Sequence, residues 1–191
     1  ARRIRDCGRI TFADFMEMAL YEPGLGYYTS SRQRVGAEGD FYTSPATHPA
    51  LASLIALQLE QMWRLLGCPG DFMVVEMGAG KGLLARDILS YLPHLSPDLA
   101  GAMSYVTVER DEVSVLRGRA GPGEPVTGCF LSNELLDAFP THRVTVRDGR
   151  LLELYVTLEG DSFKEVADTP STPLLEEQLS REGIRLPDGF V

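Results

Sequence analysis

Apolar positions along this chain recur first with a helical period and then in short runs, and the alternation lays out an ordered set of elements. Thr11 with Asp14 three residues on predicts a helix from Phe12 to Tyr21, stopped by Glu22-Pro23-Gly24-Leu25-Gly26. A stretch rich in Gly, Ser and Arg runs from there to Gly39. A long amphipathic helix is expected from about Pro49 to Leu66, with Trp63, Leu59 and Leu66 on its core face and Gly67 at its end. The run Val74-Val75-Glu76-Met77 reads as a strand, and Leu83 to Leu89 has helical spacing up to a Pro93 to Pro97 loop. Tyr105 to Glu109 and Phe130-Leu131-Ser132 are further short strands. Val144 to Val146 and Leu151 to Thr157 flank Asp148-Gly149, a hairpin signal. Phe163 to Ala167 predicts one more strand, and Pro173 to Glu182 a closing helix. Strands alternating with helices, followed by a hairpin, predict an α/β fold with late antiparallel strands.

The chemistry concentrates in Glu76-Met77-Gly78-Ala79-Gly80-Lys81-Gly82. An apolar strand ends in an acid, three glycines follow at alternate positions, and a helix begins. Such a turn is stripped of side chains, so a ligand can touch backbone. A dinucleotide fingerprint needs a glycine where Leu83 stands, and a P-loop needs one at Val75 and a Ser or Thr at Gly82. Glu76 would repel a pyrophosphate, whereas S-adenosylmethionine carries an ammonium and a sulfonium that suit a nearby acid. Glu109 ends the next strand, where an acid accepts hydrogen bonds from ribose hydroxyls in Rossmann-like sheets. An ordinary Gly-rich connection and a solvated strand-end charge are the plain alternatives.

The chain of 191 residues, 44% hydrophobic and 24% charged, suits one globular domain with a real core. Its net charge of −9 disfavours nucleic-acid partners. Gln58, Glu60 and Arg64 interrupt the longest apolar run, so no membrane span is expected. Asp6 after Arg2, Arg3 and Arg5, with no apolar run behind, argues against a secretory signal. Cys7, Cys68 and Cys129 lack C-x-x-C spacing, which suits reduced thiols in a cytosol-like compartment. His48, His94 and His142 stand far apart, so no metal site is expected.

Three strings give the chain a family resemblance: Gly39-Asp40-Phe41-Tyr42-Thr43-Ser44-Pro45, the Glu76 to Gly82 loop, and Ser132-Asn133-Glu134-Leu135-Leu136-Asp137-Ala138-Phe139-Pro140. With Met18 to Thr29, they resemble the MidA-like family, related to the mitochondrial complex I assembly factor that methylates arginine. The resemblance runs from about Ile10 to Leu158. It implies an α/β, Rossmann-like class I methyltransferase fold: a mostly parallel sheet with helices on both faces and a terminal antiparallel hairpin. It implies S-adenosylmethionine as cofactor and, as substrate, a protein presenting an arginine, such as a subunit of the respiratory NADH dehydrogenase. The expected compartment is the cytoplasm, or the mitochondrial matrix in a eukaryote. Residues 1–48 are then an N-terminal helix and cofactor-covering loop, and 49–191 the methyltransferase domain. Between 110 and 130 the chain is too short for the family's helix and third strand at usual lengths, and it stops early at Val191.

Within this frame the cofactor residues are Glu76, Gly78, Ala79, Gly80, Gly82 and Glu109, with Asp40, Thr43 and Ser44 on the covering loop. Glu134, Asp137 and Asn133 are the candidate catalytic residues. A guanidinium is cationic and planar, so it needs carboxylates to hold it bidentately and aim one nitrogen. A helical turn over Asn133 to Phe139 would put Glu134 and Asp137 on one face. The same residues also fit a helix start, with Asn133 as cap, and Asp40 to Ser44 fit a turn before the Pro49 helix. A small-molecule methyltransferase and a non-catalytic assembly module remain the alternative functions.

Overall fold

The computed structural model describes residues 1–30, 48–110, 113–117 and 126–190. Its elements run α1 (Arg2–Cys7), β1 (Ile10–Thr11), α2 (Phe12–Tyr21), α3 (Ala50–Leu65), β2 (Phe72–Met77), α4 (Leu83–Leu95), α5 (Pro97–Ala102), β3 (Met103–Val108), β4 (Val113–Arg117), β5 (Gly128–Ser132), β6 (Val144–Arg147), β7 (Arg150–Glu159), β8 (Ser162–Asp168) and α6 (Leu174–Arg181). The chain forms two compact units, residues 32–137 and residues 1–31 with 138–191. These units cut across the 1–48 and 49–191 division, because β1 pairs with the distant β7.

In the 32–137 unit a four-stranded sheet has the order β4-β3-β2-β5. β2 pairs in parallel with β3 on one side and β5 on the other. The parallel β2–β3 pair needs a crossover, which α4 and α5 supply. The core joins Phe72, Val74, Met103 and Tyr105 of the sheet to Ala56, Leu59 and Trp63 of α3 and Leu84, Ile88 and Leu92 of α4. Trp63 Nε1 donates to the Pro69 carbonyl at 2.9 Å. Leu66 is 53% exposed and lies outside the core face expected for it. Pro93 sits inside the last turn of α4 rather than in a loop. The break falls instead at Ser96, whose side chain accepts from the Leu99 N–H and caps α5.

β4 lies in the segment where the family resemblance places a helix and a third strand, and it pairs antiparallel to β3. Only residues 109–112 join the two, and so short a connection permits a hairpin and no crossover. On the other side, β5 approaches β2 so closely at Gly128 that an added Cβ would lie 1.8 Å from the Met73 carbonyl oxygen. The three nearest atoms there are all Met73 backbone and cannot swing aside. Gly128→Ala is therefore expected to lower stability by about 3 kcal/mol. A urea midpoint unchanged from the parent would contradict this close approach.

The second unit holds a separate four-stranded antiparallel sheet, in which β6 and β1 lie along one edge of β7 and β8 along the other. The Asp148-Gly149 turn joins β6 to β7 with φ values of 51° and 68°, as a type I′ hairpin requires. α2 begins as read, with the Asp14 N–H donating to Thr11 Oγ1 at 3.0 Å. Ile4, Ile10 and Val156 are buried with Phe12, Phe15 and Met18 packed on them. Glu153 is fully buried in β7. It is held by His142 Nδ1 and by the Ser171 N–H, each at 2.6 Å. Burial pushes its carboxyl up, but those bonds outweigh burial and hold it below its ordinary value.

Candidate functional site

The site grows from the end of β2. Gly78, Gly80 and Gly82 have φ values of 71°, 56° and 67°, a left-handed series that side chains resist. The Gly78 N–H donates to the Val108 carbonyl, which fastens the loop to β3, and the Gly82 N–H closes back on the Ala79 carbonyl. Gly82 is also the N-cap of α4 and offers no capping side chain. Among the described residues, a Cβ added at Gly80 or Gly82 would meet nothing within 4 Å. Here the backbone borders open space at a helix N-terminus, a cradle that fits the amino-acid end of S-adenosylmethionine.

Both predicted acids adjoin this loop. Glu109 Oε1 accepts the Gly80 N–H at 2.6 Å. One oxygen thus fixes the loop, and a carboxylate has further lone pairs with which to receive a ribose hydroxyl. Glu76 is buried at 3% exposure, and the Tyr105 hydroxyl donates to its Oε2 at 2.9 Å. Burial pushes the Glu76 carboxyl above its ordinary value, the Tyr105 bond opposes that, and Glu109 adds a like charge.

A raised carboxyl favours the folded state fully below the unfolded value of 4.5, and this is lost as pH rises through the folded value. Above that value the ionised Glu76 is a cost, which a neutral isostere removes while still accepting from Tyr105. Glu76→Gln is expected to raise the ligand-free melting temperature at pH 7 and to leave it unchanged near pH 4. A lower melting temperature at pH 7 would contradict this.

The segment after β5 meets the same loop. A Cβ on Gly78 would come within 2.7 Å of Leu135 Cδ1, so Leu135 packs directly on the first glycine. The acids on either side of Leu135 do not share a helical turn as expected. Helical backbone covers only Leu136–Ala138, as a 3-10 turn. Glu134 has φ 51° instead, an unusual conformation for a residue with a Cβ. This also removes the helix-start reading, in which Glu134 would be the first helical residue. Glu134 and Asp137 are exposed, and Asn133 is half-buried. Asp40, Thr43 and Ser44 lie outside the described residues.

Sequence reasoning missed two partners here, Tyr105 for Glu76 and Leu135 for Gly78. Tyr105 carried a usable signal. It is a phenol at the start of an apolar strand, and a buried hydroxyl needs a polar partner.

The chain matches the family model described as "Putative S-adenosyl-L-methionine-dependent methyltransferase" over residues 54–120 and 116–189. The two pieces meet inside the shortened segment, and between them they include the glycine loop, both strand-end acids and Asn133 to Asp137. The chain is 28% identical to "Protein arginine methyltransferase NDUFAF7 homolog, mitochondrial" of Drosophila melanogaster, over 90% of this chain and 48% of that protein. That alignment spans 211 residues, more than this chain contains, so the relative carries residues that this chain lacks. The chain is 24% identical to "Protein arginine methyltransferase NDUFAF7, mitochondrial" of Homo sapiens, over 99% of this chain and 52% of that protein. The chain therefore spans about half the length of the curated relatives it matches. Among solved structures, a "likely methyl transferase" from Burkholderia thailandensis bound to S-adenosyl-homocysteine aligns with a TM-score of 0.65 and 24% identity. The alignment covers 94% of this chain and 51% of that one, and it supports the α/β fold.

Proposed function

Because the chain belongs to this S-adenosyl-L-methionine-dependent methyltransferase family, we propose that it acts in protein arginine N-methylation. The cofactor is held at Gly78 to Gly82, with Glu76 and Glu109 as its acids. The observation that carries the reading is the contact of Leu135 with Gly78, because it brings the Glu134 and Asp137 segment to the cofactor loop. The names of the relatives support arginine as the acceptor.

S-adenosylmethionine supplies an electrophilic methyl group on its sulfonium. The chain's own task is positioning and electrostatics. Glu134 and Asp137 accept the N–H groups of a guanidinium, offset its charge and aim one nitrogen, and one of them takes the proton released on transfer. Asn133 orients the same group. The left-handed backbone of Glu134, held by the packing of Leu135 on Gly78, is in keeping with this role, since such strained positions cluster at active sites.

The proposed substrate is a subunit of the respiratory NADH dehydrogenase or a bacterial counterpart. The proposed compartment is the mitochondrial matrix in a eukaryote, the relatives' names giving only "mitochondrial", or the cytoplasm in a bacterium. No described helix is long and apolar enough to cross a membrane. Incubation with methyl-labelled cofactor and candidate proteins tests the proposal. Label is expected on arginine; label only on lysine or on small molecules would overturn it.

One observation favours a second reading. In the segment where the resemblance places the family's third strand, with its adenine contacts, β4 pairs antiparallel to β3. A module that kept the fold and lost the cofactor would show no saturable binding of S-adenosylmethionine.

A further inference from the structure

Behind the glycine loop lies a buried pair whose chemistry exceeds what packing needs. Tyr105 is fully buried, Glu76 is 3% exposed, and the phenol donates to Oε2 at 2.9 Å. The parallel register sets Tyr105 opposite Val74, and Glu76 follows two residues on, on the same face of the sheet. The tyrosine ring thus fills the core under α3 and α4 while its hydroxyl reaches the acid at the strand end. A phenylalanine would fill the same volume with no hydroxyl to satisfy. The charged and titratable groups around the pair are Glu109, which repels Glu76, and Cys129 on β5 beside Tyr105.

We propose that Tyr105 is a positioning residue of the cofactor site: its hydroxyl fixes the Glu76 carboxylate to receive the cationic amino-acid end of S-adenosylmethionine. This rests on the reading of Glu76 as a cofactor acid. Burial favours the neutral form of Glu76 and the Tyr105 bond favours the charged form. Without the hydroxyl the carboxyl keeps its proton to higher pH, so the pH dependence of cofactor affinity moves to higher pH than in the parent.

The test is calorimetric affinity of the full chain for S-adenosyl-homocysteine from pH 5.5 to 8, on the parent, Tyr105→Phe, Glu76→Gln and the double variant, with melting temperatures alongside. Tyr105→Phe is expected to weaken binding at pH 5.5, by at most about tenfold for each pKa unit by which the hydroxyl lowers the Glu76 carboxyl, and less at pH 8. Glu76→Gln should weaken binding most at pH 8, where the parent carboxyl is most fully ionised, and adding Tyr105→Phe to it should change nothing further. A Tyr105→Phe deficit that is constant across pH, or that persists in the Glu76→Gln background, overturns the inference and leaves the Glu76 reading standing. Unchanged affinity in Glu76→Gln overturns both. Should the phenylalanine variant fail to fold, 3-fluorotyrosine at position 105 keeps the volume and strengthens the donor. Its profile should move to lower pH, and an unmoved profile overturns the inference.

Discussion

Replacing Gly80 with valine is expected to abolish cofactor binding while most of the stability survives. Among the described residues the added Cβ would meet no atom within 4 Å, so the described fold has room for it. The cost to the fold is the left-handed backbone at φ 56°, about 1–2 kcal/mol for a residue with a Cβ. The cost to binding is larger, because the branched side chain stands where the cofactor's amino-acid end must approach the backbone. At about 3 kcal/mol of steric penalty, affinity falls by roughly 100-fold or more. Gly128→Ala should show the opposite pattern, because its Cβ strikes the backbone of β2 and leaves the loop itself untouched. Measuring melting temperature and cofactor affinity for both variants separates the glycine that serves the ligand from the one that serves the sheet. Full-strength binding by Gly80→Val would move the cofactor away from this loop.

Glu134→Gln is expected to lose turnover and keep the cofactor. Glu134 is exposed, so an isosteric change there should cost the fold little. A charge-assisted contact to a guanidinium, once truncated, costs about 2–5 kcal/mol, which is a fall in kcat of roughly 30-fold to several thousandfold. Affinity for S-adenosyl-homocysteine should stay within about twofold of the parent. Glu134→Gly sharpens the test, since glycine adopts φ 51° freely. It should relieve up to about 1 kcal/mol of strain, giving a protein at least as stable and without turnover. A variant with normal turnover per folded molecule would return Glu134 to structure.

The local parts of this fold were legible in the sequence. The β2–loop–α4 unit is signalled by an apolar run, alternate glycines and a helical period. Thr11 announced α2, and Asp148-Gly149 announced the β6–β7 hairpin. Each of these signals lies within a few residues of what it specifies. What escaped the reading depends on partners far apart in the chain. β1 pairs with β7 across some 145 residues of sequence, so the hairpin strands build a sheet of their own instead of extending the parallel one. Glu153 hides within the apolar strand Leu151 to Thr157, and its burial is explained by distant partners, His142 and the Ser171 backbone. The antiparallel turn of β4 follows from a short connection whose consequence shows only once β3 is in place.

At the site, the acids at 76 and 109 were legible from their places at strand ends. The conformation of Asn133 to Asp137 was not. Its spacing suits a helical turn, but Leu135 is held against Gly78, and Glu134 takes up a left-handed backbone just before it. A tertiary contact overrides a local preference there.

Calorimetric titration of the whole chain with S-adenosyl-homocysteine tests the central claim most directly. The account predicts saturable binding of one ligand per chain, lost in Gly80→Val and retained in Glu134→Gln. Absence of saturable binding in the parent protein, with its fold confirmed by a cooperative melt, would contradict it.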